Sequence, residues 1–300
     1  MTPILHHYPA SPFAELVRIA FGLKGLAWAS VDVPNILPKP GQTELTGGYG
    51  RTPVVQIGAD IYCDTAAILD ALERLQPTLS LYPAPLGAMH RMLAHWAGST
   101  MFLSFVGAAM GTMTADAMGT GFIADRRARF GLDMAQLAAV TPHLTGQTRT
   151  AAAWLDAALA DGRAFLGGDA PGHGDLAFYA DLWFVRNVPS ARAAAEALMR
   201  PHVAAWYARV AAIGHGTRTE MTPDEAIAVA RAAAPGAGLG QVDPPFVAGQ
   251  DVRVKTEGCA DAPVAGRLVR YDATGITLLR ESDAAGEVAV HFPRLGQMVL

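Results

Sequence analysis

The period of the hydrophobic positions changes several times along this chain, and each change marks an element. Ile4-Leu5 open a short strand. Ser11-Pro12 then starts a helix, Ser being a favoured N-cap and Pro a favoured first helical residue. Phe13, Leu16, Val17, Ala20 and Phe21 recur every three to four residues, and Gly22 and Gly25 mark the end. Trp28 to Val33 reads as a second strand. Pro34, Pro38, Pro40 and Gly41 interrupt the next stretch, so residues 34–50 are predicted to be irregular. Pro53-Val54-Val55-Gln56-Ile57, a Gly58-Ala59 break and Ile61-Tyr62 read as a hairpin. Ala66, Ile68, Leu69 and Leu72 then return to helical spacing, with Thr65 placed to cap the helix start. The order β-α-β-loop-β-β-α packs as a small two-layer α/β sandwich over residues 1–80.

Residues 77–86 (PTLSLYPAPL) read as a linker, and residues 87–234 are helical in pattern and rich in Ala, Leu and Met. From Met92 to Ala115 there is no charged residue, and Gly107-x-x-x-Gly111 lies inside. That length would suit a membrane span. His95, Ser99, Thr100, Ser104 and Thr112 make it too polar, so a buried helix packed through its glycines is expected, near a dimer interface. Gly172-His173-Gly174-Asp175 opens another helix with Gly where a capping hydroxyl would stand. Thr222-Pro223-Asp224-Glu225 is a full capping box and begins the last helix.

Residues 232–245 (AAAPGAGLGQVDPP) form a linker by composition. Beyond them the period becomes two, in Val252-Arg253-Val254-Lys255, Gly266 to Tyr271, Gly275 to Arg280 and Glu287 to Phe292. Asp272-Ala273-Thr274-Gly275 and Asp283-Ala284-Ala285-Gly286 are the hairpin turns between them. Residues 246–300 are thus expected to form a small β-barrel-like, SH3-like unit that serves packing or dimer stability.

Bulk properties narrow the function. The chain has 300 residues, 51% of them hydrophobic, enough for two domains and a small third. A net charge of −4 without long runs of either sign argues against a nucleic-acid partner. Cys63 and Cys259 give neither a disulfide framework nor a metal-ligand spacing. No signal peptide is evident, so a cytoplasmic protein is expected. There is no P-loop, no G-x-G-x-x-G and no H-E-x-x-H. Adjacent strand residues face opposite ways, so His6 and His7 are not expected to share a metal.

The chemistry gathers around residues 51–73 (RTPVVQIGADIYCDTAAILDALE). A helix start attracts anions, because its unpaired N–H groups and its dipole point the same way. A carboxylate can therefore sit against Thr65, with Asp64 beside it to hold a cation. A free amino acid head group carries both charges on one carbon.

Thr-Pro-Val-Val, a strand pair and Asp-Thr-Ala-Ala-Ile-Leu resemble the glutathione-binding core of the glutathione transferase superfamily. Tyr8-x-x-Ser11-Pro12-Phe13 resembles the start of its thioredoxin-like domain in Ser-type members. The likeness covers roughly residues 1–230 and implies a thioredoxin-like α/β domain followed by an all-α domain. It implies that Pro53 is cis and that the backbone of Thr52 pairs with the cysteinyl part of glutathione. It implies also that Asp64 and Thr65 take the γ-glutamyl end, where the family usually has Glu-Ser. Lys39 and Gln42 lie where the family binds the glycine carboxylate, and Phe13 is expected to contact the tripeptide.

Glutathione as cosubstrate brings a thiol whose ordinary pKa is about 8.5. A hydroxyl donated to sulfur at a helix start favours the thiolate. Ser11 and Tyr8 are both candidates for that donor. No Cys stands at position 11, which disfavours thiol–disulfide exchange. The expected function is conjugation of glutathione to a small hydrophobic electrophile by a homodimer, without metal, membrane or nucleic acid. The second reading is a non-catalytic member in which the fold serves binding or assembly and the C-terminal β unit is the operative part.

Overall fold

A computed structural model describes residues 1–236 and 240–300, so part of the linker expected over 232–245 lies outside the described residues. Strands β1 (Ile4–His7), β2 (Ala27–Asp32), β3 (Val54–Ile57) and β4 (Asp60–Cys63) form the N-terminal sheet, with β1–β2 parallel and β1–β3 and β3–β4 antiparallel. Helices α1 (Pro12–Leu23) and α3 (Thr65–Leu75) pack on it through Leu16, Ala20, Ile68 and Leu72. This is the thioredoxin-like order expected from the sequence.

The segment expected to be irregular contains a helix, α2 (Pro40–Thr46). Pro40 occupies its first turn, and Gly47, left-handed at φ 76°, donates its N–H to Thr43 to end it. The Pro and Gly that read as chain breakers are the start and stop of this short helix.

The helical half begins with α4 (Gly87–Trp96), a π-helical turn (Ala97–Met101) and α5 (Phe102–Met110), continuous with one another. Next come α6 (Ala115–Met118), α7 (Thr120–Phe130), α8 (Met134–Ala158), α9 (His173–Arg186), α10 (Arg192–Leu198), α11 (Pro201–Ala211) and α12 (Pro223–Arg231). The uncharged stretch is not buried all round, since Met92 is 63% and Leu103 49% exposed. Its two glycines serve packing within the chain: a Cβ on Gly107 would strike Leu144, and one on Gly111 would strike Thr141, both on α8. No helix among the described residues is long and apolar enough to cross a membrane.

Within the region read as helical lies strand β5 (Thr217–Glu220), which pairs in parallel with β2 and covers that edge of the sheet. Four exposed residues, Thr-Arg-Thr-Glu, carry no period-two signal. Their strand state comes from the tertiary partner. Thr222 caps α12, and Glu225 completes the capping box as the spacing predicts.

The C-terminal all-β unit comprises β6 (Asp251–Thr256), β7 (Val264–Asp272), β8 (Gly275–Ser282), β9 (Gly286–Phe292) and β10 (Gln297–Val299). It is not free-standing. Strand β9 pairs in parallel with β4, matching Asp60 with Ala289 and Tyr62 with His291, so the ten strands among the described residues form one sheet. His291 Nε2 lies 2.8 Å from Asp60 Oδ1, its Nδ1 lies 3.0 Å from Thr277 Oγ1, and its ring stacks on Tyr62. One apolar cluster joins Tyr49, Ile61 and Cys63 to Val254, Leu278, Val290 and Phe292.

At the centre of the helical half, α9 is capped by Gly172. Asp175 Oδ2 accepts the Gly172 N–H at 3.0 Å, while Oδ1 accepts from the Leu166 N–H at 2.9 Å and Trp206 Nε1–H at 2.8 Å. The missing cap hydroxyl is replaced from another helix. His90 of α4 lies with Nδ1 3.3 Å from the Gly174 N–H, which it accepts. A Cβ on Gly172 would come within 2.6 Å of that ring, so glycine makes room for the substitute cap. Gly172→Ser alone should lower stability by about 1–3 kcal/mol through overpacking. His90→Ala with Gly172→Ser should recover much of that loss, because hydroxyl and imidazole then exchange roles. Urea midpoints of the singles and the double check this, and strict additivity would refute it.

Candidate functional site

The register of the N-terminal sheet aligns His6 with Val54, and Val54 with Cys63. Tyr8, Thr52-Pro53 and Asp64-Thr65 therefore leave the sheet at the same end. Two helices, α1 and α3, begin there, and both present unpaired N–H groups.

At the first helix start, Ser11 has an extended backbone and its Oγ accepts the Ala14 N–H at 3.2 Å. The hydroxyl keeps a proton that it can donate, and the residue itself is buried. The turn before Ser11 is braced from below. Arg18 donates to the Pro9 carbonyl at 3.0 Å, to His7 Nδ1 at 3.0 Å and to Glu15 at 2.9 Å. His7 Nε2 lies 3.0 Å from Ser30 Oγ. Burial and then the neighbouring Arg18 push His7 down to about 3, so the imidazole is neutral and accepts from the guanidinium. His6 points the other way, to Gln56, in line with the alternation of a strand. Burial raises the Glu15 carboxyl, but hydrogen bonding from His215 and the Arg18 charge outweigh it and hold the group below its ordinary value.

At the second helix start, Asp64 rather than Thr65 is the N-cap. Its backbone lies at φ 77°, ψ 144°, a positive-φ conformation distinct from αL, and its Oδ1 accepts the Ala66 N–H at 3.1 Å. A non-glycine residue holds such a conformation only where its surroundings fix it. Thr65 becomes the first helical residue, half-buried. Burial pushes the Asp64 carboxyl up, against the opposing pull of Arg51, the Ala66 N–H and His95.

Between the two starts runs the segment 49–53. The Thr52–Pro53 peptide is cis, as the family resemblance implies. Gln42 Nε2 donates to the carbonyls of Tyr49 at 2.8 Å and Arg51 at 2.7 Å, so it braces the segment from within. Lys39 is buried, donates to Thr52 Oγ1 and lies 5.8 Å from the centre of the Tyr8 ring. Burial first, then Arg129 and Arg126, push its ammonium down to about 7. Phe13 packs on Phe102 with ring centres 4.5 Å apart, and Gly98 of the π-helical turn faces Phe13.

Ser11, Tyr8, Phe13, Lys39, Thr52, Pro53, Asp64 and Thr65 therefore gather about one sheet end. Sequence reasoning did not find Arg51, Arg126 and Arg129, which all lie over the Phe130 ring at 6.0, 5.6 and 4.8 Å. The run Arg126-Arg127-x-Arg129 at the end of α7 was the available signal, since cations favour a helix C-terminus.

Family models for the Glutathione S-transferase N-terminal and C-terminal domains match residues 5–80 and 138–209. A GST-like protein from Pseudomonas syringae is 35% identical, with a TM-score of 0.82, over 100% of this chain and 98% of its own. The chain belongs to the glutathione S-transferase superfamily.

More distant superfamily members share the fold over part of the chain. The theta class glutathione S-transferase of Xanthomonas axonopodis pv. citri, solved with glutathione bound, is 23% identical, with a TM-score of 0.52, over 69% of this chain and 91% of its own. Poplar glutathione transferase F1 is 13% identical, with a TM-score of 0.54, over 70% of this chain and 92% of its own. No curated protein matches the chain. The Pseudomonas relative spans the whole chain, C-terminal strands included, so this superfamily member shares its added β unit with at least one other.

Proposed function

We propose that this protein is a cytoplasmic glutathione transferase that conjugates the glutathione thiol to a small hydrophobic electrophile. The observation that carries this reading is the convergence of two helix starts, capped by Ser11 and Asp64, beside the buried amine of Lys39. Glutathione has complementary parts. Its γ-glutamyl carboxylate meets the α3 start at Thr65, and its ammonium meets Asp64. Its cysteinyl backbone pairs with Thr52, and its glycine carboxylate meets Lys39.

The thiol then lies near Ser11. The Ser11 Oγ accepts from Ala14 and keeps its own proton to donate to sulfur. That donation, with the dipole of α1, stabilises thiolate over thiol. Each unit of depression from about 8.5 corresponds to about 1.4 kcal/mol. Tyr8 is the second candidate donor. Phe13, Phe102 and the π-helical turn form the apolar wall against which an electrophile is held.

Calorimetry should detect glutathione binding, weakened in Thr65→Ala by about 1–3 kcal/mol because a charged ligand group loses its partner. Equal affinity in the variant would remove Thr65 from the site.

Ser11→Ala should cut turnover more at about pH 6.5 than at about pH 8.5, where free thiol already ionises. The lost cap costs only about 0.5–2 kcal/mol, so the variant folds. Identical thiolate titration in variant and wild type would leave Ser11 as a cap alone and direct the test to Tyr8→Phe.

We propose also that the protein is a homodimer, joined near the uncharged stretch. The exposed side chains of Met92, Leu103 and Trp154 support this, Trp154 being 64% exposed while it stacks on Trp96. Light scattering at micromolar concentration should give twice the chain mass; the single-chain mass would refute it.

A further inference from the structure

The C-terminal β unit lies outside both family matches, yet one of its side chains reaches the site segment. Asp261 and Arg129 form a two-armed pair, with Arg129 Nε and Nη2 donating to the two carboxylate oxygens at 2.6 Å each. Only 7% of the Arg129 side chain and 10% of the Asp261 side chain are exposed. The Ala260 N–H also donates to the Arg129 carbonyl at 2.8 Å, which joins this loop to the end of α7 a second time.

The pair lies against Gly50. A Cβ there would be 2.6 Å from Asp261 Oδ2 and 2.8 Å from Arg129 Nη2. Gly50 is followed by Arg51 and Thr52, which carries the hydroxyl that Lys39 meets. Gln42 braces this segment from one side, and the Arg129–Asp261 pair bounds it on the other. Helix α7 also grips the loop leading to Lys39, because Asp125 accepts the Leu37 N–H at 3.0 Å and Arg126 donates to the Asn35 carbonyl at 2.8 Å.

Charge points the same way. Arg51, Arg126, Arg129 and Lys39 crowd this corner, with Asp125 and Asp261 among them and Asp64 facing Arg51. Without Asp261, a buried guanidinium loses its two-armed partner beside the segment that must stay in place.

We propose that Asp261 is a positioning residue for the glutathione site: through Arg129 it fixes residues 50–52 and balances the cations around Lys39, so the C-terminal β unit completes the site. This rests on the glutathione reading above. A purely structural pair would hold the β unit in place without affecting the ligand.

The experiment uses the full chain with Asp261→Asn, Asp261→Glu and, as a matched structural control, His291→Ala at the β4–β9 seam. Glutathione affinity is read by calorimetry well below each melting temperature. Asp261→Asn should weaken binding roughly tenfold. Asp261→Glu should recover part of it, and His291→Ala should lose stability but not affinity. Unchanged affinity in Asp261→Asn would overturn the proposal. Tighter affinity would do so too, because Asp261 would then compete with the ligand for Arg129.

A second readout needs no glutathione. The Lys39 ammonium, already down to about 7, is raised by Asp261 and lowered by Arg129. Its titration, followed by NMR of labelled lysine, should move to lower pH in Asp261→Asn. An unmoved midpoint would overturn the electrostatic link. If the wild type binds no glutathione, the functional reading fails, and this midpoint still decides whether Asp261 acts on the site. Should Asp261→Asn not fold, the same two measurements on Asp261→Glu decide it, wild-type affinity and midpoint together overturning the proposal.

Discussion

The alignment of His6 with Val54 and of Val54 with Cys63 is the constraint on which the rest depends. It brings three loops out at one end of the sheet and sets two helix starts side by side there. A slip of one residue would exchange the two faces of the strand and remove the site together with the core. Val54, Val55, Ile61 and Cys63 are all fully buried, so both faces of these strands are committed. The site is thus a by-product of the pairing that burial enforces. Fixed N–H groups at the helix starts need no reorganisation to meet an anion.

Much of this arrangement was legible in local signals. Ser11-Pro12 and Thr222-Pro223-Asp224-Glu225 are helix starts by chemistry, and both cap helices in the fold. What was illegible depended on distant partners. The residues of β5 have no pattern and become a strand because the edge of β2 accepts them. Gly172 looked like a weakened cap, because the ring that replaces the hydroxyl comes from His90, far away in sequence. Pro40 and Gly47 were visible but ambiguous: the same residues that punctuate loops also bound a helix too short for its period to register. At Asp64 the ambiguity was of one position, since either Asp or Thr can cap, and it is the Asp64 carboxylate that accepts the Ala66 N–H.

The C-terminal strands illustrate a different limit. Their alternation predicted an all-β unit, and period two says nothing about where an edge goes. Strand β9 had two courses open to it: leave its edge exposed or find another sheet. It pairs with β4, and Asp60 with His291 sets the register at that seam. Burial lowers the His291 imidazole, so the ring stays neutral between Thr277 and the carboxylate. A parallel pairing between segments so far apart in sequence has no local signature in either one.

The same joining of distant segments explains how like charges coexist beside the site. Arg51 comes from the segment before β3 and Arg126 and Arg129 from α7, and they meet over Phe130. Guanidinium groups tolerate such crowding because they are weakly hydrated and lie well on an aromatic face. The two aspartates that divide them come from α7 and from the C-terminal unit, Asp125 binding Arg126 and Arg129 while Asp261 takes the other arms of Arg129. Lys39 stays outside these pairs, bonded to the Thr52 hydroxyl, which is neutral. Burial and the arginines bring its ammonium down to about 7, so the side chain is only part-charged near neutral pH, and an anion placed beside it would favour the charged form.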